Sequence, residues 1–439
     1  MTTILFRNVE VDGQPVDVRV TADTIATVGH DLDVDGAEVV DGRGGALIPG
    51  LHDHHVHLLA MAAARRSVDL TGLTDVEGIG GALQRAAATN PTTRWLRATG
   101  WHEPELDRNT LDRLVPDRPV RVQHRSGALW VLNSRALEAT GFDEPTGRLF
   151  GMDDALRDRI PPDEPLDLAA VGQRFLAAGV TGVTDATPTD RPGDVQLLAE
   201  SGLHVLAMSA PTLNFEGAGP AKLILADHAL PGLDEVVGAI RTAHGDGRPI
   251  AVHCVTAAAL VLALAAWDEA GASTGDRIEH GSVIPPELIP AIAAHRLTVV
   301  TQPNFVGERG DDYLADVDAH DVPSLYRCRS LLDGGVDVGF GTDAPFGDPD
   351  PWLAIKAATN RRTTIGAIVG AEERVDAATA LDKFLGDPRR PGGPPRRVQP
   401  GGPADLVLLD APLADVLAEP SAERVRATVS RSSGVAWRP

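Results

Sequence analysis

A chain of 439 residues is long enough to bury a large core and to divide it between one big domain and a smaller one. Charged residues make up 23% and hydrophobic ones 43%, and the net charge of −22 disfavours nucleic acid or an anionic membrane as partner, because phosphates would be repelled over most of the surface. Two cysteines, Cys254 and Cys328, exclude a disulfide scaffold and suit a reducing cytoplasm.

The N-terminal MTTILFRNVEVDGQ has no basic segment followed by an apolar run, so no secretion signal is expected. ILFRNVEV, VDVRV and TIATVG alternate apolar and polar positions and are joined by turns such as Asp-Gly, which predicts a small β-sheet. At the other end PADLVLLD (Pro403–Asp410) is a further strand run, preceded by the Pro/Gly-rich RRPGGPPRRVQPGGP, which suits neither helix nor central strand. Two strand-rich ends around a long middle point to one β-domain assembled from both termini.

In the middle, short apolar runs alternate with helical stretches, the pattern of repeated βα units around a parallel sheet. Eight such runs occur: DHHVHL, VTGVTDA (180–186), HVLAMSA (204–210), KLILA (222–226), PIAVHC (249–254), DRIEH (276–280), LTVVTQ (297–302) and VDVGFGTDA (336–344). Eight strands close a (β/α)8 TIM barrel, so the expected fold is α/β: a barrel over 49–394 and a small β-sandwich made from 1–48 and 395–439. The first two runs are separated by far more chain than one helix needs, which predicts an insertion over about 75–150 that caps the barrel mouth. The longest apolar stretch, Ala257–Trp267, is too short to span a bilayer and reads as a buried helix. The RR pairs at Arg361 and Arg389 are isolated and read as solvated surface.

The active site of such a barrel sits at the C-terminal ends of its strands. Those ends carry His55, His57, Lys222, His253, His280 and Asp343. Side chains alternate along a strand, so Asp53, His55 and His57 share the face toward the barrel interior. His52 and His54 then point toward the helices and read as hydrogen-bonded structural histidines. An HxH pair joined to two further histidines and an aspartate is a metal site. Its imidazoles and carboxylate suit Zn²⁺ first, with Mn²⁺, Ni²⁺ or Fe²⁺ as alternatives.

PGLHDHHVHL, the lysine of AKLILAD, the histidines of IAVHC and RIEHG and the aspartate of GFGTDAP together resemble the amidohydrolase superfamily. DLTGLTD, GWHE, ALWVLNS and SLLDGGVDVGFGTDAPFGDPDP look like the branch that includes N-substituted formamide deformylases. The resemblance runs over almost the whole chain. It implies that His55 and His57 bind one divalent cation and His253 and His280 a second. Lys222, carboxylated by CO₂ to a carbamate, would bridge the two; by position alone a lysine opening a strand reads as surface. Asp343 would ligate the first cation and shuttle the proton while a hydroxide between the cations attacks. The implied reaction is hydrolysis of a carbon–nitrogen bond in a small amide, N-formyl, N-acyl or cyclic amide substrate. Two changes, Cys254-Val255-Thr256 after His253 and Ala128 in HRSGALWVLNS, depart from that branch where substrate is expected, so no particular substrate carries over.

Trp101, His102, Trp130, Gln302 and Asn304 are candidates for lining the pocket, with packing inside the insertion as the competing reading for the tryptophans. Strand alternation turns Cys254 toward the helices as a buried, inert thiol. Arg327 and Arg329 fall in LYRCRSLLDGG, a helix stopped by glycine, and read as helix-surface ion pairs. The alternative enzyme is a mononuclear deaminase of the same superfamily, for which Glu279 beside His280 speaks and the acid-free CVTAAA after His253 speaks against. A non-catalytic scaffold with the same barrel would have lost ligands, and here every ligand position is filled. The partner is therefore a small molecule, in a chain free to form a homo-oligomer.

Overall fold

The computed structural model describes residues 3–89, 95–160, 165–432 and 434–437. The chain divides into two compact units, Met1–His57 with Leu168–Pro439, and Leu58–Asp167.

In the first unit the two chain ends build two four-stranded sheets. One runs in the order Thr24–Gly29, Gln14–Thr21, Thr3–Val11, Glu38–Asp41, the other in the order Gly434–Trp437, Val425–Ser430, Leu406–Leu409, Leu47–Pro49. The hairpin that opens the chain turns at Asp12 and Gly13, both at positive φ (+48° and +77°), with Val11 paired to Gln14. Two consecutive left-handed residues match the twist of antiparallel strands, and Asp-Gly supplies them at low cost. Alternate residues of both sheets, among them Ile4, Phe6, Val18, Val20, Leu406, Leu408 and Val429, share one apolar core.

Between these ends lie eight parallel strands: β1 (Leu51–Val56), β2 (Val180–Asp185), β3 (His204–Ala207), β4 (Ala221–Ile224), β5 (Ile250–Cys254), β6 (Arg277–His280), β7 (Thr298–Thr301) and β8 (Asp337–Phe340). They pair in sequence order as a three-stranded sheet, β3-β2-β1, and a five-stranded sheet, β4-β5-β6-β7-β8. Single parallel bridges, Ser209 to Ala221 and Val56 to Ala344, lie where β3 meets β4 and where β8 meets β1. The expected buried helix is Ala257–Ala270, capped by the Thr256 hydroxyl on Ala259 N and stopped at Gly271; it buries Leu260, Leu264 and Trp267. No described helix is long and apolar enough to cross a membrane.

Two arginines differ from the sequence expectation. Arg361 is buried, its guanidinium donating to the carbonyls of Val369, Tyr326 and Leu325 at 2.7–2.8 Å. Arg327 is likewise buried and donates to Glu373 at 2.6 Å, a carboxylate that also accepts from Cys328 N and Ser330. Both corrections have one cause: a partner far along the chain satisfies a charge that would otherwise demand solvent. Arg329, on the helix Arg329–Asp333, does lie in the expected i,i+4 arrangement with Asp333.

The second unit has a sheet of its own, ordered Arg148–Phe150, Leu129–Leu132, Val120–His124, Leu96–Trp101, Val68–Asp69. Helices Val76–Thr89 and Arg108–Leu114 contribute Ile79, Leu83 and Leu111 to a core with Ala98, Trp101, Val120 and Val122. The helix Ser134–Thr140 starts at Asn133, whose side chain accepts from Ala136 N, and ends at Gly141 in the left-handed region (φ +69°).

Candidate metal centre

Every residue of β1 is buried, including His52, Asp53, His54 and His55. Asp53 is clamped between neighbours: Oδ1 accepts from His55 N (3.1 Å) and Thr342 N (3.0 Å), and Oδ2 from the Thr342 hydroxyl (2.5 Å). Burial pushes the Asp53 carboxyl up to about 7 against these hydrogen bonds. On the opposite face His52 Nε2 meets the Thr184 hydroxyl at 2.9 Å, as a structural histidine should. His54 does not follow suit: it is fully buried and neither ring nitrogen has a hydrogen-bond partner. Burial holds its imidazole neutral, well below the usual histidine range.

The inner face leads to Asp343. Its Oδ1 lies 3.3 Å from His57 Nε2 and 3.6 Å from His55 Nε2, and its Oδ2 lies 3.9 Å from His280 Nδ1. Ligand-capable atoms of His55, His280 and Asp343 all fall within 4.8 Å of one another. The His280 ring is 4.6 Å from that of His55 and 4.5 Å from that of His253. Close approach of β8 to β1 requires the glycine of GFGTDA, since a Cβ on Gly341 would lie 2.6 Å from His55 Cβ. His280 (φ +68°) and Asp343 (φ +58°) are both left-handed, an uncommon conformation for non-glycine residues that tends to collect at functional sites. At His280 it also breaks strand alternation, so that consecutive residues, Glu279 and His280, both reach His55.

Lys222 on β4 is buried, and its ammonium nitrogen has no hydrogen-bond partner. Burial pulls it below the usual lysine range, opposed by the charges of Glu279 and Asp343. Burial likewise lowers His253 to about 3, and Lys222 adds to that shift. His55 Nε2 and Asp343 Oδ1 are also buried without partners. An imidazole nitrogen and a carboxylate oxygen left unsatisfied 3.6 Å apart fit a divalent cation, which would supply the missing partner to each.

The Nδ1 atoms of three of these histidines have partners. His55 Nδ1 is hydrogen-bonded to Glu279 Oε2, His57 Nδ1 to the Thr187 hydroxyl (3.0 Å) and His280 Nδ1 to Gln302 Oε1 (2.9 Å). A carboxylate or amide oxygen accepts, so a proton on Nδ1 would complete these bonds at His55 and His280 and would leave each Nε2 lone pair for a cation. The sequence reading missed Glu279 and Thr187 in this role. Alternation along β6 offered the signal, because it sets Glu279 and Arg277 on one face together.

Among the five pocket candidates, Gln302 therefore braces His280, and Asn304 donates to Glu308 and to Thr342 O while its Oδ1 is unpartnered. Trp101 and Trp130 are buried within the second unit, their indole N–H groups donating to Pro104 O and Asp153 Oδ1. His102, in the same unit, is hydrogen-bonded to His124 and Arg125. Cys254 is buried, as expected.

Parallel strands with a polar cluster of His55, His280 and Asp343 at their C-terminal ends set the frame for comparison with known proteins. A model of the amidohydrolase family matches residues 38–432. The chain is 27% identical to a putative amidohydrolase, YtcJ, of Bacillus subtilis over 74% of its length and 75% of the relative's. It is 24% identical to an N-substituted formamide deformylase of Arthrobacter pascens, covering 90% of this chain and 89% of that one. An uncharacterized metal-dependent hydrolase from Pyrococcus horikoshii superposes with a TM-score of 0.74 at 20% identity, over 93% of this chain and 97% of that chain. The chain belongs to the amidohydrolase family. It is a hydrolase acting on carbon–nitrogen bonds other than peptide bonds, which sets the scaffold reading aside.

Proposed function

We propose that the protein is a binuclear hydrolase of a small amide, N-formyl, N-acyl or cyclic amide substrate. The two parallel sheets are taken as arcs of one (β/α)8 barrel over 49–394, a closure supported by the single bridges at both seams. The terminal sheets, from 1–48 and 395–439, form a β-sandwich around their common core, and the insertion over about 75–150 belongs to the second unit. His55, His57 and Asp343 would hold one cation, His253 and His280 the other, with Lys222 as a bridging carbamate and Zn²⁺ as the metal. The observation that carries this reading is the set of buried, unpartnered atoms, His55 Nε2, Asp343 Oδ1 and Lys222 Nζ. The chemistry that divalent cations supply at such a site is polarisation of a carbonyl and acidification of water.

The protein's own part is the proton. Asp343 accepts one from the attacking water at a carboxylate oxygen and passes it to the leaving nitrogen as the carbon–nitrogen bond breaks, so water and amide become acid and amine. Its left-handed backbone and the Asp343 N to His55 O hydrogen bond (2.8 Å) hold that carboxylate against both histidines. Asn304, through its unpartnered Oδ1, is the strongest of the candidate substrate contacts, ahead of Gln302. Because the Arthrobacter relative is named for deformylating N-substituted formamides, N-formyl amines head the substrate list. Two unpaired, buried cysteines agree with a cytoplasmic site of action, and a homo-oligomer is compatible with this reading.

A mononuclear deaminase is the second reading, favoured by the convergence of His55, His280 and Asp343 on one point, which a single cation would satisfy. The test is a panel of N-formyl amines, N-acyl amines, cyclic amides and aminated heterocycles, assayed before chelation, after it, and with Zn²⁺ restored. Amide hydrolysis that disappears and returns supports the first reading, and ammonia released from heterocycles alone supports the second. Amide hydrolysis indifferent to chelator contradicts both.

A further inference from the structure

The geometry assigns Glu279 a positioning role: it fixes the tautomer and orientation of His55, and Arg277 holds Glu279 to that task. This deepens the metal-site reading and rests on it. Glu279 Oε2 is hydrogen-bonded to His55 Nδ1, and Glu279 Oε1 accepts from Arg277 Nε at 2.5 Å. Arg277 Nη2 reaches back to the carbonyl of His54 at 3.3 Å. A closed circuit thus joins β1 to β6, strands that are not neighbours in either sheet. All of it is buried: His55 and Glu279 are 0% exposed and Arg277 is 1% exposed.

Burying a carboxylate and a guanidinium carries a desolvation cost, and a structural alternative of apolar side chains would avoid it. The pair makes sense through what it imposes on His55. A carboxylate has no proton to donate, so it accepts only from a protonated Nδ1, and that leaves Nε2 bare beside Asp343 Oδ1. The same bond stops the ring from flipping. Arg277 occupies the second carboxylate oxygen, which keeps Glu279 from turning to Lys222 or to a cation as a competing partner. A glutamine in its place would satisfy only one side: an amide oxygen turned to His55 presents an N–H to the N–H of Arg277, and the reverse orientation sets its N–H against Nδ1–H.

Two measurements test this. In ¹⁵N-histidine NMR of the metal-free wild-type protein, with the His55 signals assigned by their loss in His55→Asn, the ring is expected as the Nδ1–H tautomer. A dominant Nε2–H tautomer overturns the assignment, and this readout needs no variant of Glu279. Zn²⁺ affinity is then measured by chelator competition for the wild type, Glu279→Gln and Arg277→Lys. The isosteric Glu279→Gln should bind ~10–100-fold more weakly, the usual penalty for losing a partner that orients a ligand, and Arg277→Lys should fall in the same direction. Wild-type binding with Glu279→Gln unchanged overturns the positioning role and leaves the metal site standing. No Zn²⁺ binding by the folded wild type overturns both.

Discussion

The terminal sheets and the parallel strands bury their side chains on different terms. The terminal core is an apolar cluster of Ile4, Phe6, Val18, Leu408 and Val429. The interior of the parallel strands instead buries Asp53, His55, Lys222, Arg277, Glu279 and Asp343. Each large apolar side chain in the first region contributes about 1.5–3 kcal/mol by leaving water. In the second, each charged or polar group costs free energy unless a partner compensates it. Glu279 and Arg277 compensate each other, whereas Lys222 Nζ and Asp343 Oδ1 are left without partners. One region is built for stability; the other tolerates a deficit that a bound cation would remove.

Substitutions should separate the two. The largest effect is expected from Asp343→Asn, which would remove both the proposed ligand and the proposed proton carrier: kcat/KM on the amide turned over by the wild type should fall by roughly 10²–10⁴-fold, the range for losing a general acid–base group. Unchanged turnover would remove Asp343 from the mechanism. Lys222→Ala should lose most of its activity and metal, with short carboxylic acids restoring part of both; full metal content in this variant would dismiss the carbamate. Phe6→Ala should act in the opposite sense, lowering stability by about 3–5 kcal/mol in denaturant titration while metal per chain is unchanged. Phe6 is 1% exposed, so a near-neutral result would show that the terminal core does not carry the load described here.

The smallest effect sharpens the boundary between the regions. Asp405, at the start of the terminal strand Leu406–Leu409, is hydrogen-bonded to His204 of β3 and to Arg431. Burial alone would raise its carboxyl, but hydrogen bonds from His204 and Arg431 outweigh burial and hold it at about 2. A depressed carboxyl contributes stability above its unfolded pKa, near 4, and loses that contribution as pH falls toward 2. Wild-type stability should therefore drop over that window more steeply than that of Asp405→Asn, as followed by thermal unfolding at each pH. Parallel profiles would show that the staple contributes nothing.

Much of this contrast is legible in the amino-acid sequence. Period-two alternation marks the terminal strands, and all eight parallel strands fall on the runs read from VTGVTDA, PIAVHC, DRIEH and their neighbours. His55, His280 and Asp343 come together as their strand-end positions imply. What escaped reading depends on long-range contact or on backbone conformation. The left-handed φ of His280 breaks the alternation that would have separated it from Glu279, and no sequence pattern announces it. Arg327 and Arg361 look like surface charges until Glu373 and the carbonyls of Leu325, Tyr326 and Val369 arrive from elsewhere in the chain. His54 fits the pattern of its partner His52 and still finds no hydrogen bond.

The most direct test of a two-cation site is metal per chain, measured by inductively coupled plasma mass spectrometry on protein purified without chelator or a metal-binding tag. A value near two is the predicted result, with the second equivalent lost in Lys222→Ala. A value near one, unchanged by that substitution, would contradict the bridged site and turn attention to single-cation chemistry at His55, His280 and Asp343.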